Sequence, residues 1–146
     1  MGLKAGSDSK LYFCVAGIGG VPSWTEMTKA RDATLTLSKK EADASHRGAG
    51  KWVITKGHLK DAQIEFEYIW DTSDAAFLVL RASFVNGTSL GIACMDDEID
   101  HALSEGLWAD CEVMKFDRKE PLDGNVVVSV TLKPTYSAYP PVWKVV

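Results

Sequence analysis

Between Ala62 and Trp70 the chain reads AQIEFEYIW, with Ile64, Phe66, Tyr68 and Trp70 on one parity and Gln63, Glu65, Glu67 and Ile69 on the other. A two-residue period marks a half-buried β-strand, because successive side chains leave opposite faces of the pleat. The same period returns from Asn125 to Lys133 (NVVVSVTLK), where Val126, Val128, Val130 and Leu132 share a parity, and from Ala33 to Leu37 (ATLTL), where Thr34 and Thr36 oppose Leu35 and Leu37. Lys10 to Ala16 (KLYFCVA), Lys51 to Lys56 (KWVITK), Leu90 to Met95 (LGIACM) and Leu107 to Phe116 (LWADCEVMKF) add short runs of aromatic and branched residues that favour strands. One helical pattern stands against them, Asp71 to Asn86. Thr72 or Ser73 is placed to cap it, Asp74 to sit in its first turn, Ala76, Phe77, Leu80 and Phe84 to form its apolar stripe, and Gly87 to end it in a left-handed cap. Each parallel strand pair needs a long crossover, usually a helix, so six or more strands with one helix require antiparallel pairing. The expected fold class is mainly β, an antiparallel β-sandwich or barrel with one flanking α-helix.

The connections follow from turn chemistry and lost periodicity. Gly57 to Asp61 reads as a turn joining two strands into a hairpin, and Pro121, Asp123 and Gly124 join the last two strands in the same way. Ser38 to Gly50 (SKKEADASHRGAG) carries charge, Gly and Ala without an apolar period and is expected to be a long exposed loop. Asp96 to Gly106 is expected to be an acidic loop. Residues 1 to 9 form an expected flexible arm, and residues 134 to 146, rich in Pro and aromatics, an extended tail that straps the domain and is not a strand. At 146 residues, with 46% hydrophobic and 25% charged content, the whole chain is expected to be a single domain able to hold a core without metal or disulfide.

Several function classes find no footing in the residues. A formal charge of -4 lacks the clustered Lys and Arg that grip phosphate. His46, His58 and His101 stand far apart in sequence, so no metal site is expected, and no nucleophile elbow, phosphate loop or dinucleotide motif is present. Asp96, Asp97, Glu98 and Asp100 lack the alternation and glycine of a calcium loop and read as a solvated turn. Glu65 and Glu67 read as the wet face of their strand, and not as a glycosidase pair. The tryptophans at 24, 52, 70, 108 and 143 are scattered and suit core and interface packing. Three cysteines at spacings of no ligand pattern read as buried free thiols. No catalytic residue and no cofactor is expected. No segment has the apolar run of a signal peptide or a membrane span, so the expected place of synthesis is the cytoplasm, with no membrane partner.

The series RDATLTLSKKEADASHRGAGKW, GHLKDAQIEFEYIWD and DAAFLVLRASFVNGT, followed by EPLDGNVVVSVTLKPTYS, resembles the tail tube proteins of long-tailed bacteriophages and prophages, in order, over about Leu11 to Trp143. The resemblance implies a β-sandwich or barrel with one helix, related in shape to type VI secretion tube proteins. It also implies a structural virion protein and not an enzyme: a subunit of hexameric rings that stack into a tube whose lumen conducts DNA without specific binding. Other copies of the chain would be its partners, with the tape measure, tail tip or baseplate and terminator proteins, and the virion tail its destination after the bacterial host's cytoplasm. On that basis the inter-subunit contact candidates are Ser38, Lys39, Lys40, Glu41, Asp43, His46, Arg47, Lys51 and Trp52. Thr34, Thr36, Gln63, Glu65 and Glu67 are the lumen-facing candidates, because their strands carry a polar face opposite an apolar one. An acidic bore would repel DNA and let it slide. A tail terminator or completion ring of similar fold, and a monomeric β-sandwich carbohydrate-binding module, remain as alternatives.

Overall fold

The computed structural model describes residues 3, 10–19, 22–43, 50, 52, 55–100, 102–120, 122, 124–135 and 137–146, with the side chains of 42, 43 and 55–58 left aside. In chain order the elements are β1 (Lys10–Cys14), β2 (Thr25–Glu26), β3 (Ala30–Asp43), β4 (Thr55–Ile69), α1 (Ala75–Asn86), β5 (Leu90–Met95), β6 (Glu105–Lys119), β7 (Val127–Pro134) and β8 (Val142–Val145). Every pairing is antiparallel, in the order β2-β1-β5-β6-β7-β4-β3, with β8 added beside β6. The fold is therefore mainly β, as the alternating segments imply.

The sheet curls over its own apolar face. Leu11 and Phe13 of β1 share one core with Ile64, Phe66 and Tyr68 of β4 and with Val128, Val130 and Leu132 of β7. Helix α1 lays Ala76, Phe77, Leu80 and Ser83 on this core. The reverse face of β1 and β5 is covered too, by a second cluster of Tyr12, Ala93 and Met95 with Trp24, Ile99 and Trp108. That double cover explains why β5 (LGIACM) shows no alternation.

Strand β6 organises the two halves. Its first part pairs β5 on one side and β8 on the other, and its second part pairs β7 from Cys111↔Pro134 to Lys119↔Val127. Its register breaks between Val113 and Lys115, a bulge that leaves Met114 exposed. Leu107, Ala109, Cys111 and Val113 face the core before the bulge, and Phe116 packs against it afterwards. Parity has changed by one residue.

Helix α1 begins later than its cap-competent residues suggest. Asp71 captures both the amide and the hydroxyl of Ser73, at 3.0 and 2.6 Å, so Thr72 and Ser73 are held in a turn before the helix. Asp74 becomes the N-cap, its carboxylate accepting from Phe77 N at 3.1 Å and from Tyr68 OH at 2.6 Å. Gly87 closes the helix at φ 70°, as its position predicts. The stripe differs in one member: Phe84 is 47% exposed and Ser83 is buried. Ser83 is admitted because its hydroxyl donates to Thr88 O and accepts from Val113 N at 3.1 Å, just past the last β5–β6 pair, Leu90↔Cys111.

Three connections depart from expectation. Gly57 to Asp61 is no turn: Gly57 pairs with Glu41 and Asp61 with Ser38, inside β4. The expected loop from Ser38 to Gly50 is strand as far as Asp43, while 44–49 lie outside the described residues. Polar residues without an apolar period carry no mark of their pairing, because both faces of this segment are wet and the backbone ladder alone holds it. The tail also pairs, as β8, from Glu105↔Val145 to Trp108↔Val142. Smaller shifts place the end of β1 at Cys14, the start of β6 at Glu105 within the expected acidic loop, and the start of β7 at Val127. Of the strand expected from Lys51, only 52, 55 and 56 are described, and β4 begins at Thr55.

Candidate assembly surfaces

The five residues singled out on polar parity come together on one face. Register places Thr34 opposite Glu65 and Thr36 opposite Gln63 across β3 and β4, with Thr131 and Ser129 of β7 opposite Glu65 and Glu67, and Lys115 and Asp117 of β6 beyond. Thr34, Gln63, Glu65 and Glu67, with Lys115, Ser129 and Thr131, rim a polar depression of about 440 Å³. Glu67 lies 3.4 Å from Arg31 and 3.5 Å from Lys119, and Gln63 donates to Glu65. With Asp32, Glu65, Glu67 and Asp117 beside Arg31, Lys115 and Lys119, this face is close to charge-balanced. The expected acidity is not concentrated there.

The nine contact candidates divide. Ser38, Lys39, Lys40 and Glu41 are all exposed on the outer half of β3, and Trp52 is 79% exposed. Asp43 ends β3 opposite Thr55, its side chain not described, and His46, Arg47 and Lys51 lie outside the described residues. β4 pairs with β7 only from Ile64 to Ile69, so from Asp43 to Asp61 the two strands form a ribbon with no third strand among the described residues. Lys39 stands opposite Lys60 there, a repulsive cross-strand pair. Isolated two-stranded ribbons are marginal in water, which makes this arm a surface that gains by being covered.

Sequence reasoning missed the apolar part of the arm. Leu37 and Leu59 are 53% and 55% exposed. A groove of about 690 Å³ runs from Leu37, Lys60 and Ala62 at the base of the arm to Leu107, Pro134, Pro141 and Trp143 near β8. Leu37 fits an alternating strand and reads as core by parity, and only the early end of β7 at Pro134 leaves it uncovered. Asp110 was also missed. This buried carboxylate accepts Ile18 N at 2.8 Å and the Ser137 hydroxyl, and its own carbonyl accepts Thr135 N at 2.9 Å. It pins the turn after β1 and the segment before β8 to the middle of β6.

Reactive groups do not converge among the described residues, where no three His, Cys, Asp or Glu side chains form a metal cluster. His46 and His101 and the side chain of His58 lie outside the description. Burial raises the Cys94 thiol to about 11, and burial with the nearby Asp110 charge raises Cys111 to about 12, so neither is an available thiolate near neutral pH. In the acidic turn Asp96 accepts Glu105 N at 3.0 Å and Asp97 accepts Glu98 N at 2.8 Å, bonding to backbone as a self-capping loop does. No helix among the described residues is long and apolar enough to cross a membrane.

No protein-family model and no curated protein matches the sequence. Solved structures do. The tail of an empty gene transfer agent particle, refined helically with C6 symmetry, superposes with a TM-score of 0.73 over 99% of each chain at 11% identity. The chain has the tail-tube fold. A second tail-tube structure, that of SPP1, matches 90% of this chain and 75% of its own, with a TM-score of 0.71 and 14% identity. A chain of the six-fold symmetrised anti-feeding prophage baseplate shares the tail-tube fold as well, with a TM-score of 0.63 over 97% of each chain at 9% identity. At such identities the likeness resides in the backbone path. Different side chains meet the same demands.

Proposed function

We propose that this chain is a structural subunit of a virion tail tube, closing into six-membered rings that stack along an axis. The observation that carries this reading is the coverage: a chain of a tail refined with C6 symmetry matches this one over 99% of both lengths. Two features of the chain support it. The arm of β3 and β4 has no third strand beside it among the described residues, and head-to-tail assembly supplies such cover by rotation and translation of identical copies. The polar face bearing Thr34, Thr36, Gln63, Glu65 and Glu67 is wide, shallow and nearly charge-balanced, which suits a wall that DNA passes and does not bind. On this reading those five residues line the bore, and Ser38, Lys39, Lys40, Glu41, Asp43, His46, Arg47, Lys51 and Trp52 meet neighbouring copies. The remaining partners would be the tail tip or baseplate, the tape measure and the terminator, with the subunit held in the host cytoplasm before assembly and in the tail afterwards. The protein has no catalytic role in this scheme.

Negative-stain microscopy of the purified chain across a concentration series, with and without tail tips, tests the reading. Tubes or stacked rings support it. Single rings that never stack would instead favour a terminator or completion protein. A chain that stays monomeric at every concentration and in the presence of tips overturns the reading, and binding of such a monomer to a glycan array would favour the carbohydrate module.

A further inference from the structure

Strand β8 is held to the sheet by its backbone ladder more than by burial. All four of its residues are exposed, Val142 by 38%, Trp143 by 50% and Val145 by 57%, so it buries little apolar surface. Its fixings are the four-residue ladder to Glu105–Trp108, the bonds Val146 N to Ser104 O at 2.8 Å and Leu103 N to Val146 O at 2.6 Å, and Trp143 Nε1 donating to Glu105 at 3.0 Å. Lys144 adds a cation over the Trp108 ring at 5.2 Å. The receiving side is imperfect: Leu103 sits at φ 66°, costly for a leucine, and the buried Ser104 hydroxyl has no partner among the described residues. Beneath the strap lies an edge that needs cover. β7 stops at Pro134 opposite Cys111, so among the described residues β8 is what pairs the β6 backbone from Glu105 to Trp108 on that side, beside the buried Leu107.

We propose that β8 is an exchangeable strand: in the assembled protein the β6 edge at Glu105–Trp108 is paired by residues Val142–Val145 of a neighbouring copy. The proposal rests on the tube reading above for the source of that neighbour. The occupant is fixed by complementarity already present, since the edge fits this very segment within one chain and a second copy offers identical contacts. Because the contacts are equal in both arrangements, the choice is set by hinge geometry and by local concentration, which a ring raises to the millimolar range. The hinge is Pro140–Pro141, stiff, extended and lacking amide donors. The pin upstream is the Asp110 cluster, in which Ser137 donates to Asp110 and itself accepts Tyr139 N at 3.2 Å. While the pin holds, three residue steps separate Tyr139 from Val142, a reach of roughly 10 Å. Once it releases, eight steps separate Pro134 from Val142, a reach of roughly 26 Å and enough to cross to an adjacent subunit.

Two singly substituted chains, Glu105→Cys and Val145→Cys, test this, because the two positions are direct cross-strand partners. They are mixed, allowed to assemble and oxidised, with each variant assembled alone as a blank for side reactions of the native cysteines and for pairing of like copies. The expected result is a covalent two-chain species in the mixture, at least several-fold above both blanks and increasing with polymer, which Ser137→Ala in both chains makes appear faster. A doubly substituted chain held dilute should close the bond within itself, confirming the geometry of the strap. Polymer seen by microscopy with no two-chain species above the blanks overturns exchange and leaves the tube reading standing. Absence of both polymer and two-chain species overturns the two together.

Discussion

The two halves of β4 belong to one strand and obey different physics. From Ile64 to Ile69 it lies between β3 and β7, with Ile64, Phe66 and Tyr68 at most 3% exposed. From Thr55 to Asp61 it pairs with β3 alone, and Leu59, Lys60 and Asp61 are open to solvent. The inner half is specified by burial, through a strict period that fixes register, since a slip of one residue would turn Ile64, Phe66 and Tyr68 outward. The outer half is specified by continuation of a ladder that the inner half starts. A strand can thus run past the core that encodes it, and the overrun is where a neighbour can attach.

Substitutions sharpen that contrast. Ile64→Ala removes a fully buried side chain facing Leu132 and should cost about 2–5 kcal/mol in a urea titration. A loss below about 1 kcal/mol would mean the inner half is not core. Ser83→Ala leaves Val113 N unpaired where α1 meets β6 and should cost about 1–3 kcal/mol by the same measurement, with the valine amide losing protection from hydrogen exchange. The pH response probes the ends of the inner half. Lys29, then Ser73, hold the Asp71 carboxyl well below the usual carboxylate range. A depressed folded value means the contribution is full above the unfolded value near 4 and is lost as pH falls through the folded one. The native chain should therefore lose urea stability on acidification below about pH 4, while Asp71→Asn, weaker at neutral pH, converges with it. Parallel curves would remove Asp71 from the account. The smallest effect on stability belongs to the arm. Leu59→Ser should change the unfolding midpoint by no more than about 0.5 kcal/mol yet reduce polymer yield, and a large loss of stability with unchanged assembly would reverse the assignment.

Much of the fold was legible wherever one face met the core. The parity of Ala62 to Trp70 and of Asn125 to Lys133, the run Leu90 to Met95 and the cap at Gly87 all correspond to observed elements. What escaped was held by backbone pairing or by competition among near-equal residues. Ser38 to Asp43 and Gly57 to Asp61 have no apolar period to read, and β8 follows two prolines. Asp71, Thr72, Ser73 and Asp74 could each cap a helix, and only the capture of Ser73 by Asp71 selects the last. The candidate surfaces show the same division. Thr34, Thr36, Gln63, Glu65 and Glu67 were legible because polar parity opposite apolar parity defines a face. The groove beside Leu37 was not, because it depends on where a distant strand, β7, comes to an end.

The bulge at Met114 divides β6 into two reading frames. Before it, odd-numbered residues Ala109, Cys111 and Val113 enter the core; after it, Phe116 joins Trp70, Phe77 and Phe84 in an aromatic group, and Arg118 lies 5.0 Å over the Trp70 ring. Deleting Met114 would not trim a loop. With Val113 then followed directly by Lys115, still opposite Thr131, plain alternation keeps Phe116 on the core side and Lys115 and Asp117 on the polar face, so what one exposed methionine supplies is the local bend and added twist of the strand.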